Sequence, residues 1–170
     1  RNLNSNTLIS GTSGNDTITG STSADSINGG EGNDQITGGG GNDTLIGGNG
    51  NDTFYYSSSD GDDLITDYVV GEDVIKISSG SIDSSTLSGN DVILYVGEGS
   101  IKIKDGKGKL ITVNDSSNKT SSQIYGIPSF TSIDTASAFL SAYKVFDKNT
   151  ELTYDTITNY RKRSFWDKFK

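Results

Sequence analysis

The chain has 170 residues, of which 31% are hydrophobic; it carries 22 glycines, one proline and a formal net charge of -8. It contains neither Cys nor His, which excludes thiolate and imidazole chemistry: a zinc site of the usual kind, a Ser-His-Asp triad, a Cys-His pair and a disulfide framework. Any metal must be held by oxygen, and an irregular chain this poor in apolar residues would stay disordered.

The sequence is not irregular. Residues 2 to 10, NLNSNTLIS, read as a worn first repeat, with Ile9 at an apolar position and Thr7 where an acid stands in the units that follow. A strand without a metal-binding turn is expected there. From Gly11 the period is nine: GTSGNDTIT, GSTSADSIN, GGEGNDQIT, GGGGNDTLI and GGNGNDTFY. Asp16, Asp25, Asp34, Asp43 and Asp52 recur in strict register, and two places after each comes Ile18, Ile27, Ile36, Leu45 or Phe54. Each unit is a glycine-rich turn, an aspartate and a short alternating strand. In SSSDGDDLIT the register slips by one residue, after which Gly61, Asp63 and Ile65 recover the pattern as a sixth, less regular turn. Residues 1–66 form the repeat domain.

Charge follows this division. Residues 1–75 hold twelve of the 22 acids and a single base, Arg1, whereas residues 76–170 hold ten acids and thirteen bases. The expected partner of the array is therefore a cation and not a nucleic acid, because stacked carboxylates would otherwise repel one another.

A turn of six residues and a strand of three cannot bury an apolar face alone, so successive units must coil and stack. With two nonapeptides per coil, each Asp lies over the Asp eighteen residues on. Asp16, Asp34 and Asp52 make one ladder; Asp25, Asp43 and, after the slip, Asp63 make the other. Carboxylates above and below, together with turn carbonyls freed by glycine, make an oxygen cage suited to calcium.

The nonapeptides resemble the G-G-x-G-x-D-x-U-x repeat of the RTX (repeats-in-toxin, hemolysin-type) family. The resemblance implies an all-β fold, a right-handed parallel β-roll that binds calcium, with a C-terminal β cap and a short α-helical tail. In that family the upper turn of a site gives carbonyls from its second and fourth positions with its Asp, and the lower turn from its first and third with its Asp. Carried over, one ladder would use Thr12, Gly14, Asp16, Gly29, Glu31 and Asp34, then Gly30, Gly32, Asp34, Gly47, Asn49 and Asp52. The other would use Ser21, Ser23, Asp25, Gly38, Gly40 and Asp43, then Gly39, Gly41, Asp43, Ser58, Asp60 and Asp63. About four calcium ions follow. This sequence departs from the family pattern at Ser21, Ser23 and Ala24 and at the slip, so calcium on the second ladder is expected to leave first.

From Asp67 to Asn114 the period gives way to ordinary strands, DVIKIS, DVILYV, SIKIK and LITVN. Gly97 and Gly99 fit a turn between the second and third, and Asp105-Gly106-Lys107-Gly108 a hairpin between the third and fourth. Residues 67–114 are the expected cap, which an open solenoid end requires. Two echoes of the repeat, Gly71-Asp73-Ile75 and Gly89-Asp91-Ile93, lie inside it. Residues 115–130 read as a polar linker containing Pro128. Residues 131–170 read as a helix over 134–146, with Ala138, Phe139, Ala142, Tyr143 and Phe146 at helical spacing, followed by a basic aromatic end.

The resemblance further implies an extracellular or cell-surface bacterial protein exported by type I secretion through a signal near the C-terminus. The helix and the hydroxyl-rich LTYDTITN vaguely resemble such a signal; the basic end RKRSFWDKFK does not. An accessory element or the start of another domain is the alternative for this segment, as is contact of the basic aromatic end with an acidic surface or a membrane interface. The chain lacks Met and is expected to belong to a longer or processed polypeptide; no run of residues reaches the length of a membrane span. The favoured reading is a non-enzymatic calcium-dependent module that helps fold, export or stabilise a larger secreted protein: a toxin, adhesin, surface-layer protein or exoenzyme. The alternatives are a module whose ligand contacts lie in the cap or C-terminal segment, a fragment of a polysaccharide-active enzyme using two carboxylates, a metal-free solenoid whose Asp residues cap turns, and an ice- or carbohydrate-binding face, for which only Thr12 is suitably placed.

Overall fold

The structure, a computed structural model, describes residues 6–117 and 119–125. The chain divides into two compact units, Arg1–Ile127 and Pro128–Lys170. The second unit lies outside the described residues, and with it the helix and the basic aromatic end read from the sequence.

Short alternating strands separated by glycine turns cannot form hairpins when every turn leads away from the strand before it, so they wind. β1 (Leu8–Ser10), β3 (Ser26–Glu31), β5 (Thr44–Asn49) and β7 (Asp62–Ile65) pair in that order in one parallel sheet. β2 (Thr17–Thr19), β4 (Gln35–Thr37), β6 (Thr53–Ser57) and β8 (Val74–Ser79) pair in parallel in the other. The result is an all-β parallel solenoid of about four turns, with two nonapeptides per coil. No helix occurs among the described residues, nor any helix long and apolar enough to cross a membrane.

One side chain in two points inward, and these residues stack into a continuous core. Ile27, Leu45 and Ile65 line up across one sheet, and Ile18, Ile36, Phe54 and Ile75 across the other; all are buried. Each fully buried side chain of this size contributes about 1.5–3 kcal/mol. Stacking thus offsets the small apolar fraction: each coil is capped above and below by another.

The parallel stack does not stop at residue 66. β8 continues the even sheet, and two later strands, β11 (Gly99–Ile103) and β12 (Leu110–Asn114), lie parallel on β7 and β8. β9 (Ser84–Ser88) and β10 (Asp91–Val96) are inserted before them, antiparallel to each other, with β10 antiparallel to β11. The turn at Gly97 joins β10 to β11 as a hairpin. Asp105–Gly108 does not close one, because β11 and β12 belong to different sheets and the turn carries the chain from one to the other. Within the stretch read as a linker, β13 (Thr120–Ile124) pairs antiparallel with β12 and covers its open edge, so Ser121 and Ser122 are strand residues. The slip after β6 is also of two residues rather than one: the rung spacing rises from 18 to 20 between Asp43 and Asp63. A turn from Ser57 to Asp60, closed by Asp60 N–H to Ser57 O, accommodates the extra length.

Candidate metal centre

Winding places the aspartates in two columns along the turns. In one, Asp16 N–H donates to Asp34 Oδ1 (2.8 Å), Asp34 N–H to Asp52 Oδ1 (2.8 Å) and Asp52 N–H to Asp73 Oδ1 (3.0 Å). In the other, Thr7 N–H donates to Asp25 Oδ1 (2.7 Å), Asp25 N–H to Asp43 Oδ1 (2.7 Å) and Asp43 N–H to Asp63 Oδ1 (3.0 Å). One carboxylate oxygen of each Asp from Asp25 to Asp73 on these columns is thus fixed by the turn above.

The second oxygen separates three of these aspartates from the other four. Asp16 Oδ2 accepts Thr12 N–H (2.6 Å), Asp25 Oδ2 accepts Ser21 N–H (2.6 Å) and Asp73 Oδ2 accepts Val69 N–H (2.8 Å), each from four residues earlier. Asp34, Asp43, Asp52 and Asp63 are buried, and the Oδ2 of each has no hydrogen-bond partner. An unpaired buried carboxylate oxygen is costly. Titration behaviour follows. Burial pushes Asp43 and Asp52 above the usual carboxylate range, helped by neighbouring acids, Asp25 and Asp60 for the first and Asp34, Asp67 and Glu72 for the second. Burial pushes Asp63 up to about 7 and Asp73 to about 6. At Asp25 burial also acts upward, but hydrogen bonds from Ser21 and Thr7 outweigh it and hold the carboxyl below its ordinary value. The carboxylates with an unpartnered oxygen lack the positive charge that their burial demands.

Among the described residues no three acidic side chains converge as a metal-holding group, so further donors must come from the backbone. The glycine turns supply them. A Cβ on Gly30 would overlap Thr12 O, and Gly30 has φ of +110°, which L side chains rarely adopt. The carbonyls of Ser21, Gly30, Gly32 and Gly41 press likewise against Gly39, Gly48, Gly50 and Gly61. In each pair a carbonyl faces the next turn at a distance that only a missing side chain permits.

The residues proposed from the sequence fall into place unevenly. Between the turns of Asp16 and Asp34, a Cβ on Gly11 would meet both Asp16 Oδ2 and Gly29 O, so these oxygens share one space; Thr12 O and Gly14 O face Gly30 and Gly32. Glu31 donates its N–H to Thr12 O (3.2 Å). Between the turns of Asp34 and Asp52, Asp34 Oδ2 and Gly47 O meet around Gly29, with Gly30 O and Gly32 O from above, while Asn49 O accepts Gly32 N–H (2.8 Å). Asp25 Oδ2 and Gly38 O meet around Gly20, with Ser21 O and Ser23 O near Gly39 and Gly41; Gly40 N–H donates to Ser21 O (2.9 Å). Between Asp43 and Asp63 the upper turn is regular, with Gly41 O against Gly61 and Asp43 Oδ2 against Gly38. Its lower turn is not: Ser58 O is engaged by Glu98 N–H (3.3 Å) and Asp60 Oδ2 by Ser57 N–H (2.7 Å).

Sequence reasoning did not place Asp73 on the ladder. Its signal was the Gly71-Asp73-Ile75 echo, obscured because the rung from Asp52 spans 21 residues. Two residues in that stretch close the first column. Asp67 accepts Gly47 N–H (2.9 Å) and Gly48 N–H (2.8 Å), and the buried Tyr68 donates to Asp73 O (2.9 Å) while accepting Thr112 N–H (2.9 Å).

Fold and turns together define an acidic parallel β-roll whose inter-turn spaces are lined by oxygen. The family comparison agrees: residues 10–45, 19–54 and 28–65 match the model of the RTX calcium-binding nonapeptide repeat. Residues 10–65, about a third of the chain, are an RTX repeat array. No curated protein matches the chain. Among solved structures, the extracellular lipase LipA from Serratia marcescens is similar at 24% identity, covering 56% of this chain and 18% of that one, with a TM-score of 0.36. The chain therefore spans under a fifth of that protein's length.

Proposed function

We propose that this chain is a calcium-dependent folding module of a larger exported bacterial protein. The observation that carries the reading is the set of buried, unpartnered Oδ2 atoms on Asp34, Asp43, Asp52 and Asp63, the first of which meets Gly47 O around Gly29. In this reading four spaces between stacked turns, Asp16/Asp34, Asp34/Asp52, Asp25/Asp43 and Asp43/Asp63, would each combine the carboxylates of the two named residues with backbone oxygens. This donor set suits a hard cation that takes six to eight oxygens, and the glycines leave the room that such coordination needs. The bound ion would supply positive charge; the chain's own part is to hold the carbonyls and to bury the carboxylates.

The size of the effect makes the module a switch. Extracellular calcium modules bind with Kd of about 10⁻⁴ to 10⁻³ M. At about 1 mM calcium a site at the tighter end adds about 1.4 kcal/mol, and four add about 5–6 kcal/mol, comparable to the whole stability of a small domain, roughly 5–15 kcal/mol. At cytosolic calcium that contribution vanishes and the carboxylates repel. The chain then stays unfolded until export, which fits passage through a type I channel, and it folds outside. Equilibrium dialysis against calcium tests the reading. About four bound ions per chain are expected; none bound at about 10 mM refutes it.

A further inference from the structure

The residue before each ladder Asp forms a second column, outside the first. Asn33 N–H donates to Asn15 Oδ1 (2.7 Å), Asn51 N–H to Asn33 Oδ1 (2.9 Å) and Asp62 N–H to Asn42 Oδ1 (3.0 Å). These side chains are exposed, and Asn33 Oδ1 and Asn42 Oδ1 lie 3.0 Å from where a Cβ on Gly50 and on Gly61 would stand, beside Gly32 O and Gly41 O at the rim of the inter-turn spaces. The N–H groups of Asn33 and Asn42 belong to the same peptide units as those two carbonyls. The Asn33 N–H and the Gly32 C=O are two ends of one rigid, planar trans peptide and point in opposite directions. Fixing the N–H upward on Asn15 fixes the carbonyl downward, toward Gly50 in the turn of Asp52.

Building on the calcium reading, we propose that Asn15 is a positioning residue for the ion between Asp34 and Asp52: it sets the direction of Gly32 C=O without contributing an atom. The second column supplies the contrast. The residue equivalent to Asn15 is Ala24, whose methyl offers no acceptor to Asn42 N–H. Gly41 C=O, on the same peptide as Asn42 N–H, therefore lacks this restraint at the space between Asp43 and Asp63. The second column is the weaker one for a reason separate from its irregular last turn.

The test uses the full chain and calcium alone, in variants at these two exposed or half-exposed positions. Asn15→Ala is expected to weaken one calcium-binding step about three- to tenfold, the worth of one hydrogen bond. Asn15→Asp, which keeps an acceptor at the same place, is expected to restore it. Ala24→Asn is expected to tighten a different step by a similar factor. Amide hydrogen exchange on the calcium-loaded chain gives a readout apart from affinity, with Asn33 losing protection in Asn15→Ala and Asn42 gaining it in Ala24→Asn. Uptake by the wild type with unchanged isotherms in Asn15→Ala and Ala24→Asn overturns the positioning role alone, as does a loss in Asn15→Ala that Asn15→Asp fails to recover. A wild-type chain that takes up no calcium overturns the calcium reading together with it.

Discussion

In the proposed reading Asp34 would serve two inter-turn spaces, one above it and one below, which makes Asp34→Ala the most informative single change. In calcium, the wild type should gain about 5–6 kcal/mol over the chelated chain if four sites each add about 1.4 kcal/mol. Removing Asp34 takes one carboxylate from two of the four, so the calcium-dependent gain should fall by about half, to roughly 3 kcal/mol. The variant also leaves Asp16 N–H without its 2.8 Å acceptor, a loss of about 1.5–3 kcal/mol for a charged partner. That loss appears with or without calcium, and relief of the repulsion that Asp34 exerts on Asp52 partly offsets it. Urea unfolding of wild type and variant in about 1 mM and about 10 mM calcium separates the two, because the hydrogen-bond loss is the same at both concentrations whereas the gain on raising calcium scales with the number of sites. Asp63→Ala, which touches a single proposed site, should lower the calcium-dependent gain by only about 1.4 kcal/mol. A gain in Asp34→Ala equal to that of the wild type would refute the sharing of this carboxylate.

Other outcomes follow from neighbouring contacts. Gly32→Ala places a side chain at φ +109° and within 2.7 Å of Gly14 C; thermal unfolding should show a loss of at least about 1–3 kcal/mol. Tyr68→Phe removes the hydroxyl that links Asp73 O to Thr112 N–H and should lower stability by about 1–3 kcal/mol, by the same amount at about 1 mM and about 10 mM calcium. Without calcium the folding equilibrium should lie further toward the unfolded chain at pH 8 than at pH 5. Burial raises Asp63 to about 7 and Asp73 to about 6, whereas the unfolded carboxyls release their protons near 4. Between these values the folded chain holds more protons, so its stability falls as pH rises through the window. Calcium should reverse the sign, because protons compete for its ligands; circular dichroism at both pH values in chelator and chemical unfolding at both in calcium check this.

The columns Asp16-Asp34-Asp52 and Asp25-Asp43-Asp63 could be read from the chain because a strict period of nine leaves only the number of units per coil open. Ile27, Leu45 and Phe54 followed, since an apolar residue two places after each Asp must share its face. Asp73 escaped because Asp67 and Tyr68, which close the column, lengthen the rung. The parallel seat of β11 on β7 escaped for a topological reason: Ser100 meets Asp62 across 38 residues, with the β9–β10 insertion between them. Alternation marks SIKIK as a strand but does not say which edge it joins. Nor did the Asn column show itself, because Asn in a glycine-rich turn reads as a turn former, and only stacking reveals that its amide oxygen serves the coil below. The fourth set of donors was legible only down to Asp63, since nothing in SSSD announces that Ser57 and Glu98 would engage Asp60 and Ser58.

The coupling of calcium to folding is tested most directly by far-ultraviolet circular dichroism of the whole chain during a calcium titration, with magnesium as control. The account predicts a disordered spectrum in chelator and a cooperative gain of β signal between about 10⁻⁴ and 10⁻² M calcium, with little response to magnesium. A β signal already complete in chelator, or one unmoved across that range, would contradict it.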